Sequence, residues 1–306
     1  TPAPKRGIGL VRAQPAPLGY AVVLEDETGE YAVKVRLKQV IKHDVASIML
    51  AEAGTEYWPL EETLEYLLVY VETEILRAVN EEQKGMDEFV FDLVTRDGLK
   101  FMDARPLLAV PPTPAFSGVG YPGATIEGWV LWAMPKGTQG VVMRMGPYVF
   151  DASSAWFSTE TPGQMQVLVS STVDADTMNV ILPDGSSDVV QLVSVEAPGI
   201  GTDEQHFHLR DPSPENMLCV DRWAKEAAEF ARENLTSKSI TLEFDSLAGD
   251  RDASGRLLAY VLTQDGDFGK TLIKLGYGRV ALMGEGGREE ARYLTTEVEA
   301  RQEDMG

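Results

Sequence analysis

Short strand patterns separated by turn residues follow one another through the first half of the chain. Residues 31–41 (YAVKVRLKQVI) alternate apolar and polar side chains with period two, as a half-buried strand does. Residues 65–76 form a longer β-rich run, and residues 88–103 (EFVFDLVTRDGLKFMD) predict two strands around an Asp-Gly turn. Residues 45–54 have helical spacing and end on a glycine. Several short strands with turns every 8–12 residues predict an all-β sandwich here.

A break in this pattern lies at residues 158–165 (STETPGQM), where small polar side chains surround a Pro-Gly pair. It predicts a linker between a domain at residues 1–157 and a second at residues 166–306. The 306 residues, 44% of them hydrophobic, suffice for two separate cores. The second domain is predicted as three strands, a helix, two strands and two helices. Five strands with helices at one end are typical of a Greek-key barrel of the OB type.

The first predicted helix of the second domain is amphipathic. Its apolar side chains should share one face, which comprises Leu218, Trp223, Ala227, Phe230 and Ala231. Cys219 is the one cysteine of the chain, so neither an intrachain disulfide nor a cysteine-based metal cluster can form. We expect Cys219 to pack as a small apolar residue near the start of this helix.

Charge restricts the classes of partner. The net charge is −21, and residues 163–306 hold 26 Asp and Glu against 13 Lys and Arg. Such a surface repels nucleic acid at long range. A protein, a cationic cell-envelope component or Ca²⁺ is therefore the expected partner, and self-assembly is compatible with the composition. The sequence contains no run of about 18 apolar residues, the pattern that would predict a membrane-spanning helix.

Several segments of the first domain carry a family resemblance. They are AQPAPLG (13–19), EYLLVYVETEIL (65–76), VPP (110–112) and YPGATIEGWVLWAMPKG (121–137). Over about residues 8–157 the chain resembles the telokin-like, immunoglobulin-fold domains of bacterial surface lipoproteins. The resemblance implies an immunoglobulin-like β-sandwich with an adhesion, spacing or interaction role. It also implies an exported protein, extracellular or at the cell surface, with a possible lipid anchor upstream. The start of the chain, TPAPKRGIGL, is similar to a trimmed, mature N-terminus.

The second domain resembles the staphylococcal nuclease (thermonuclease) family over about residues 164–306. Its matching segments occur in the family's order and are VDADT (173–177), LPDG (182–185), VEAPG (195–199), CVDRWAKEAAEFARENL (219–235), ITLEFDS to RDASGRLLAYV (240–261), LIKLGYGRV (272–280) and ARYLTTEVEAR (291–301). The resemblance implies an OB-fold barrel with three helices. The family's chemistry is Ca²⁺-dependent hydrolysis of phosphodiesters in DNA or RNA.

Part of the family's site is retained. Asp176 matches the first calcium ligand, with Asp174 beside it, and Glu196 stands where the second ligand is an aspartate. Carboxylate oxygens are the ligands that Ca²⁺ prefers. The extra methylene of Glu196 moves its carboxylate by about 1.5 Å, the length of a C–C bond. Arg256 matches one of two catalytic arginines, whose forks neutralise the charge that develops at phosphorus.

Other site positions have changed. Gln191 replaces the first catalytic arginine, and Gly199 replaces the carboxylate that handles the attacking water. Ser254 and Leu282 replace two tyrosines. Losing a positioned cation or base typically costs about 10²–10⁴ in rate. The sequence therefore predicts a catalytically degenerate barrel that acts as a binding or structural module. The alternative is a Ca²⁺-dependent extracellular nuclease.

Structural interpretations compete with several of these assignments. Asp174 and Asp176 could simply shape a turn, because Asp side chains hydrogen-bond nearby backbone groups. Arg256 could form a structural ion pair with Glu243 or Asp252.

Two further groups of residues also allow two readings. His206 and His208 lie two residues apart and could ligate a metal, but a solvated polar loop is the expected state. Trp129, Trp132 and Trp156 could form a carbohydrate platform, although core packing of a sandwich is favoured.

Overall fold

The computed structural model divides the chain into two compact units, Thr1–Gly163 and Gln164–Gly306. The division falls within the predicted linker at residues 158–165. Among the described residues, no helix is long and apolar enough to cross a membrane. The structure describes residues 7–26, 28–53, 63–79, 82–95, 98, 100–101, 110–147, 153–199, 213–281, 287–303 and 305.

The described part of the first unit is mainly β. Its elements are β1 (Val22–Glu25), β2 (Ala32–Lys42), α1 (His43–Glu52), β3 (Leu64–Arg77), β4 (Lys84–Gly85), a 3₁₀ turn (Met86–Glu88), β5 (Phe89–Val94), β6 (Lys100–Phe101), β7 (Val119–Gly120), β8 (Thr125–Pro135), β9 (Val142–Pro147) and β10 (Ala155–Ser158). They form two four-stranded sheets, ordered β1-β2-β3-β8 and β10-β9-β5-β6, and a small β4-β7 ribbon. All strand pairs in these sheets are antiparallel.

Helix α1 covers part of the first sheet. Its Ala46 and Leu50 are fully buried in a cluster with Leu68 on β3 and Trp129 and Leu131 on β8. Residues 65–69 of β3 are all buried. Because successive side chains of a strand point to opposite faces, both faces of β3 are removed from water in this stretch.

The three tryptophans considered for a carbohydrate platform lie in or near the core of this unit. Trp129 and Trp132 are buried and Trp156 is half-buried. The buried rings of Trp129 and Trp132 cannot form an exposed platform for a carbohydrate, in line with the expected core packing.

The second unit is built around a sheet that closes on itself. Its elements are β11 (Gln164–Thr172), β12 (Thr177–Ile181), β13 (Ser187–Leu192), β14 (Val195–Glu196), α2 (Pro214–Leu235), β15 (Ser239–Glu243), β16 (Leu257–Thr263), β17 (Gly266–Asp267), α3 (Phe268–Lys274), β18 (Arg279–Val280) and α4 (Glu290–Gln302). The strand order is β13-β12-β11-β15-β16-β17, and β13 also pairs in parallel with β16. The pairing of β13 with β16 completes a ring of five strands.

Helix α2 begins at Pro214, directly after a serine cap. The side chain of Ser213 accepts a hydrogen bond from the Asn216 amide at 3.3 Å, and Pro214 occupies the first turn. Serine caps and proline in the first turn both suit a helix start. The buried face of α2 comprises Ala224, Ala227, Ala231 and Leu235.

The start of α2 differs from expectation. Leu218 is 72% exposed, and Cys219 is an exposed free thiol. The fully buried positions of α2 begin only at Ala224, so the first turns extend outside the core. The predictions that Leu218 faces inward and that Cys219 packs as an apolar residue are therefore wrong.

Candidate functional site

Asp176 lies at the entry to β12 and connects this strand to the end of β13 and to the segment after β14. Its backbone oxygen accepts a hydrogen bond from the Leu192 amide at 2.9 Å. Its Oδ2 accepts from the Ala197 amide at 2.6 Å, and its Oδ1 accepts from the Thr177 hydroxyl at 2.9 Å. The side chain is buried, with 6% of the residue exposed. Asp176 therefore has the contacts of a structural residue as well as the position of a ligand.

Burial, and next the neighbouring Asp174 carboxylate, raise the pKa of Asp176 to about 7. The hydrogen bonds from Ala197 and Thr177 partly oppose this shift. Asp174 Oδ1 is buried and accepts no hydrogen bond from a donor group among the described residues. Two carboxyls in this arrangement repel when both are ionised, so either a shared proton or a nearby cation stabilises them.

Gln191 occupies the centre of the site. It lies opposite Thr177 on β12 and opposite Leu258 on β16, which fixes its backbone from both sides. The residue is 3% exposed, and its Oε1 lies 2.8 Å from the Thr177 hydroxyl, whose single proton it shares with Asp176 Oδ1. The position predicted for a catalytic guanidinium therefore holds a buried, hydrogen-bonded neutral amide.

Arg256 reaches the same threonine from β16's N-terminal side. Its Nη1 donates to Thr177 Oγ1 at 3.2 Å, while its Nε donates to Asp252 Oδ2 at 2.6 Å. Burial tends to raise the pKa of Asp252, but the hydrogen bonds from the Arg256 backbone and side chain, with the charge of Arg256, lower it overall. Of the two anionic partners that the sequence offered, Arg256 uses Asp252, while Glu243 pairs with Arg288.

Glu196 pairs with a residue that sequence reasoning did not single out. Strands β14 and β18 place Glu196 opposite Arg279, and Arg279 donates to Glu196 Oε2 from Nε at 2.9 Å and from Nη2 at 2.6 Å. These partners are 83 positions apart in the chain. No local pattern identifies such a pair, because only the strand register brings it together.

The remaining predicted positions contribute less. Gly199 follows Pro198 and has no side chain to offer as a base. Ser254 lies in a turn, where its amide donates to Asp252 Oδ1 at 2.9 Å. Leu282, His206 and His208 lie outside the described residues.

The carboxylates do not assemble into the expected calcium site. Asp174 and Asp176 come together, but the Glu196 carboxylate is bound by Arg279. Over the part of the chain that the structure describes, no three His, Cys, Asp or Glu side chains are placed to hold one metal ion. Ca²⁺ takes six to eight oxygen ligands, so this donor set does not fit the ion.

Residues 189–306 match the family described as staphylococcal nuclease homologue. They form a staphylococcal nuclease-like domain. The upstream resemblance to telokin-like domains stays a prediction.

Three relatives extend the comparison with this nuclease-like domain. Uncharacterized protein MJ1439 of Methanocaldococcus jannaschii is 28% identical over 141 residues, covering 44% of this chain and 67% of the relative. Endonuclease YncB of Bacillus subtilis is 33% identical over 122 residues, covering 40% and 50%. The thermonuclease of Staphylococcus intermedius is 31% identical over 122 residues, covering 40% and 62%. The chain thus spans about half to two thirds of these relatives.

Proposed function

We propose that the nuclease-like domain has lost phosphodiester hydrolysis and acts as a binding or structural module. The observation that carries this proposal is the state of Gln191. Its amide is buried and hydrogen-bonded to Thr177 at the position where the resemblance implies a phosphate-binding guanidinium. A neutral amide cannot supply the charge that stabilises a phosphorane-like transition state.

The surrounding groups support the same conclusion. Arg256 is held by Asp252, and Arg279 is held by Glu196. Gly199 offers no carboxylate to orient water. Two missing groups at about 10²–10⁴ each leave little of the rate enhancement of a hydrolase.

The location and partners follow from the resemblance and the charge. We propose that the protein is exported and acts at the cell surface, with residues 1–157 as an immunoglobulin-like spacer or docking domain. The net charge of −21 favours a protein or a cationic cell-envelope component as partner over nucleic acid. Self-assembly is the other arrangement that this proposal allows. Fractionation of the native cells, with detection of the protein in the envelope or medium, tests the location.

The test of lost hydrolysis uses the full chain and fluorescent single-stranded DNA, with Ca²⁺ at about 10 mM, well above weak-site dissociation constants. We expect no cleavage above the protein-free control. Calcium-dependent cleavage by the wild-type protein that disappears in Arg256→Ala would contradict the proposal.

A rescue variant tests which substitutions removed the activity. It carries Gln191→Arg and Gly199→Glu, together with Arg279→Gln because Arg279 binds the Glu196 carboxylate. We expect cleavage at least about 100-fold above wild type, since each restored group contributes about 10²-fold or more. The matched control places the new arginine at the exposed Gln166 instead and should stay inactive.

The second candidate function is a Ca²⁺-dependent nuclease of DNA or RNA. The approach of Arg256 Nη1 to Thr177, next to the Asp174–Asp176 pair, favours it, as do relatives named endonuclease and thermonuclease. The wild-type assay above separates the two functions, because only the enzyme cleaves DNA before any rescue.

A further inference from the structure

The pair of Glu196 and Arg279 is fixed by backbone structure. Val195 pairs with Val280, and Glu196 pairs with Arg279, in an antiparallel ladder. The Ala281 amide extends this ladder by donating to the Ser194 oxygen at 3.1 Å. The two side chains therefore extend from directly opposed positions on adjacent strands, where cross-strand pairs interact.

The pair is also partly removed from solvent. The side chain of Glu196 is 33% exposed and that of Arg279 is 29% exposed. Both guanidinium donors point at one carboxylate oxygen, Oε2, at 2.9 and 2.6 Å. Charge-assisted hydrogen bonds of this length are among the stronger ones in proteins. The carboxylate of Glu196 is therefore already neutralised by the chain itself.

This neutralisation occurs next to the buried carboxyl pair. The residue after Glu196, Ala197, donates its amide to Asp176 Oδ2 at 2.6 Å. A cation held by Asp176 and Glu196 would have to displace Arg279 from Glu196 Oε2 or bind the other carboxylate oxygen beside it. It would then share the site with the guanidinium, and like charges close together in a partly buried site repel strongly.

We infer that Arg279 replaces a metal ion as the counter-charge of Glu196, and that it excludes divalent cations from this site. Asp174 and Asp176 come together, but the third carboxylate, that of Glu196, is held by an internal arginine. This inference concerns cation binding alone and does not rest on the proposed loss of hydrolysis.

The experiment measures Ca²⁺ binding by the full chain, without nucleic acid. Isothermal titration calorimetry and the midpoint of thermal unfolding are recorded up to about 10 mM CaCl₂, which covers weak sites with dissociation constants of about 10⁻⁴–10⁻³ M. We expect no binding by the wild-type protein. Arg279→Gln should bind one Ca²⁺ in that range and gain thermal stability with it. Adding Asp176→Asn to that variant should abolish the binding.

Two controls isolate the role of Arg279. Arg251→Gln removes another arginine of the same domain, whose guanidinium donates to the Asp188 carboxylate at 3.0 and 2.7 Å. This variant should not bind Ca²⁺. Arg279→Lys keeps the positive charge and should still exclude Ca²⁺. If Arg279→Gln does not fold, Arg279→Met, which keeps much of the apolar stem, takes its place.

Three results overturn the inference. They are wild-type binding as tight as that of the Arg279 variant, no binding by either folded Arg279 variant, or equal gains from Arg251→Gln and Arg279→Gln. A loss of cleavage in the nuclease assay has no bearing on these outcomes, so the two proposals fail separately.

Discussion

The substitution Asp176→Asn should stabilise the nuclease-like domain at neutral pH. Asp176 is buried beside Asp174, and Asp174 Oδ1 accepts no hydrogen bond from the donor groups described. An asparagine can keep one oxygen toward the Ala197 amide and turn its new NH₂ group toward Asp174. The Thr177 hydroxyl retains Gln191 Oε1, at 2.8 Å, as an alternative acceptor.

The magnitude follows from the pKa of Asp176, which burial and the Asp174 carboxylate together raise from 3.8 to about 7. Between these values the native state keeps a proton that the unfolded state has lost, so the stability contributed by Asp176 falls as pH rises. At about 1.36 kcal/mol per pKa unit, the full loss is about 4 kcal/mol. Asparagine mimics the protonated form, so the variant's advantage should be near zero at pH 4 and reach up to about 4 kcal/mol above pH 8.

The free energy of unfolding of the full protein is measured at several pH values from 4 to 8, with EDTA present. Hydrogen exchange is recorded as a function of urea concentration, and the exchange is read from peptides that cover residues 164–306. This readout separates the nuclease-like domain from the first unit. Asp188→Asn is the control, because Asp188 forms an ion pair with Arg251 and its loss should give no rising advantage. A stability difference between Asp176→Asn and wild type that stays constant from pH 4 to pH 8 would refute the reasoning.

Three further predictions concern packing and exposure. Tyr293→Phe removes the donor to Asp267 at 2.9–3.0 Å and should lower the free energy of unfolding of the second unit by about 1–3 kcal/mol, whereas an unchanged urea midpoint would contradict it. Leu68→Ala should destabilise the first unit by about 2–5 kcal/mol, and hydrogen exchange in residues 63–79 should report the loss while residues 164–306 stay unchanged. Cys219 should react with a thiol reagent in the native protein at nearly the rate of the urea-unfolded protein; strong protection would show that its surface is covered.

The local elements were predictable from sequence because local chemistry determines them. The period-two pattern at residues 31–41 corresponds to β2 at 32–42, and the run at 65–76 corresponds to β3 at 64–77. The Asp184-Gly185 pair, a local turn signal, lies in the turn between β12 and β13, where Gly185 has a φ of +85° that other residues rarely adopt. In each case the signal lies within a few residues.

The state of the site was less predictable because it depends on distant partners. The sequence predicted Gln191 at the position of a family arginine, but the burial of Gln191 and its bond to Thr177 depend on the register of β12 and β13. The ion pair of Glu196 with Arg279 depends on the register of β14 and β18. Helical periodicity also could not tell that the first turns of α2, including Cys219, extend outside the core.

The closed ring limits where this module can be cut from its surroundings. The family match begins at residue 189, inside β13, yet β13 hydrogen-bonds with β12, and β11 separates β12 from β15. A fragment starting at Val189 would lose residues 164–181 and leave strands with unpaired edges, which promote aggregation. The portion that can fold as a unit therefore begins near Gln164, about 25 residues before the start of the family match.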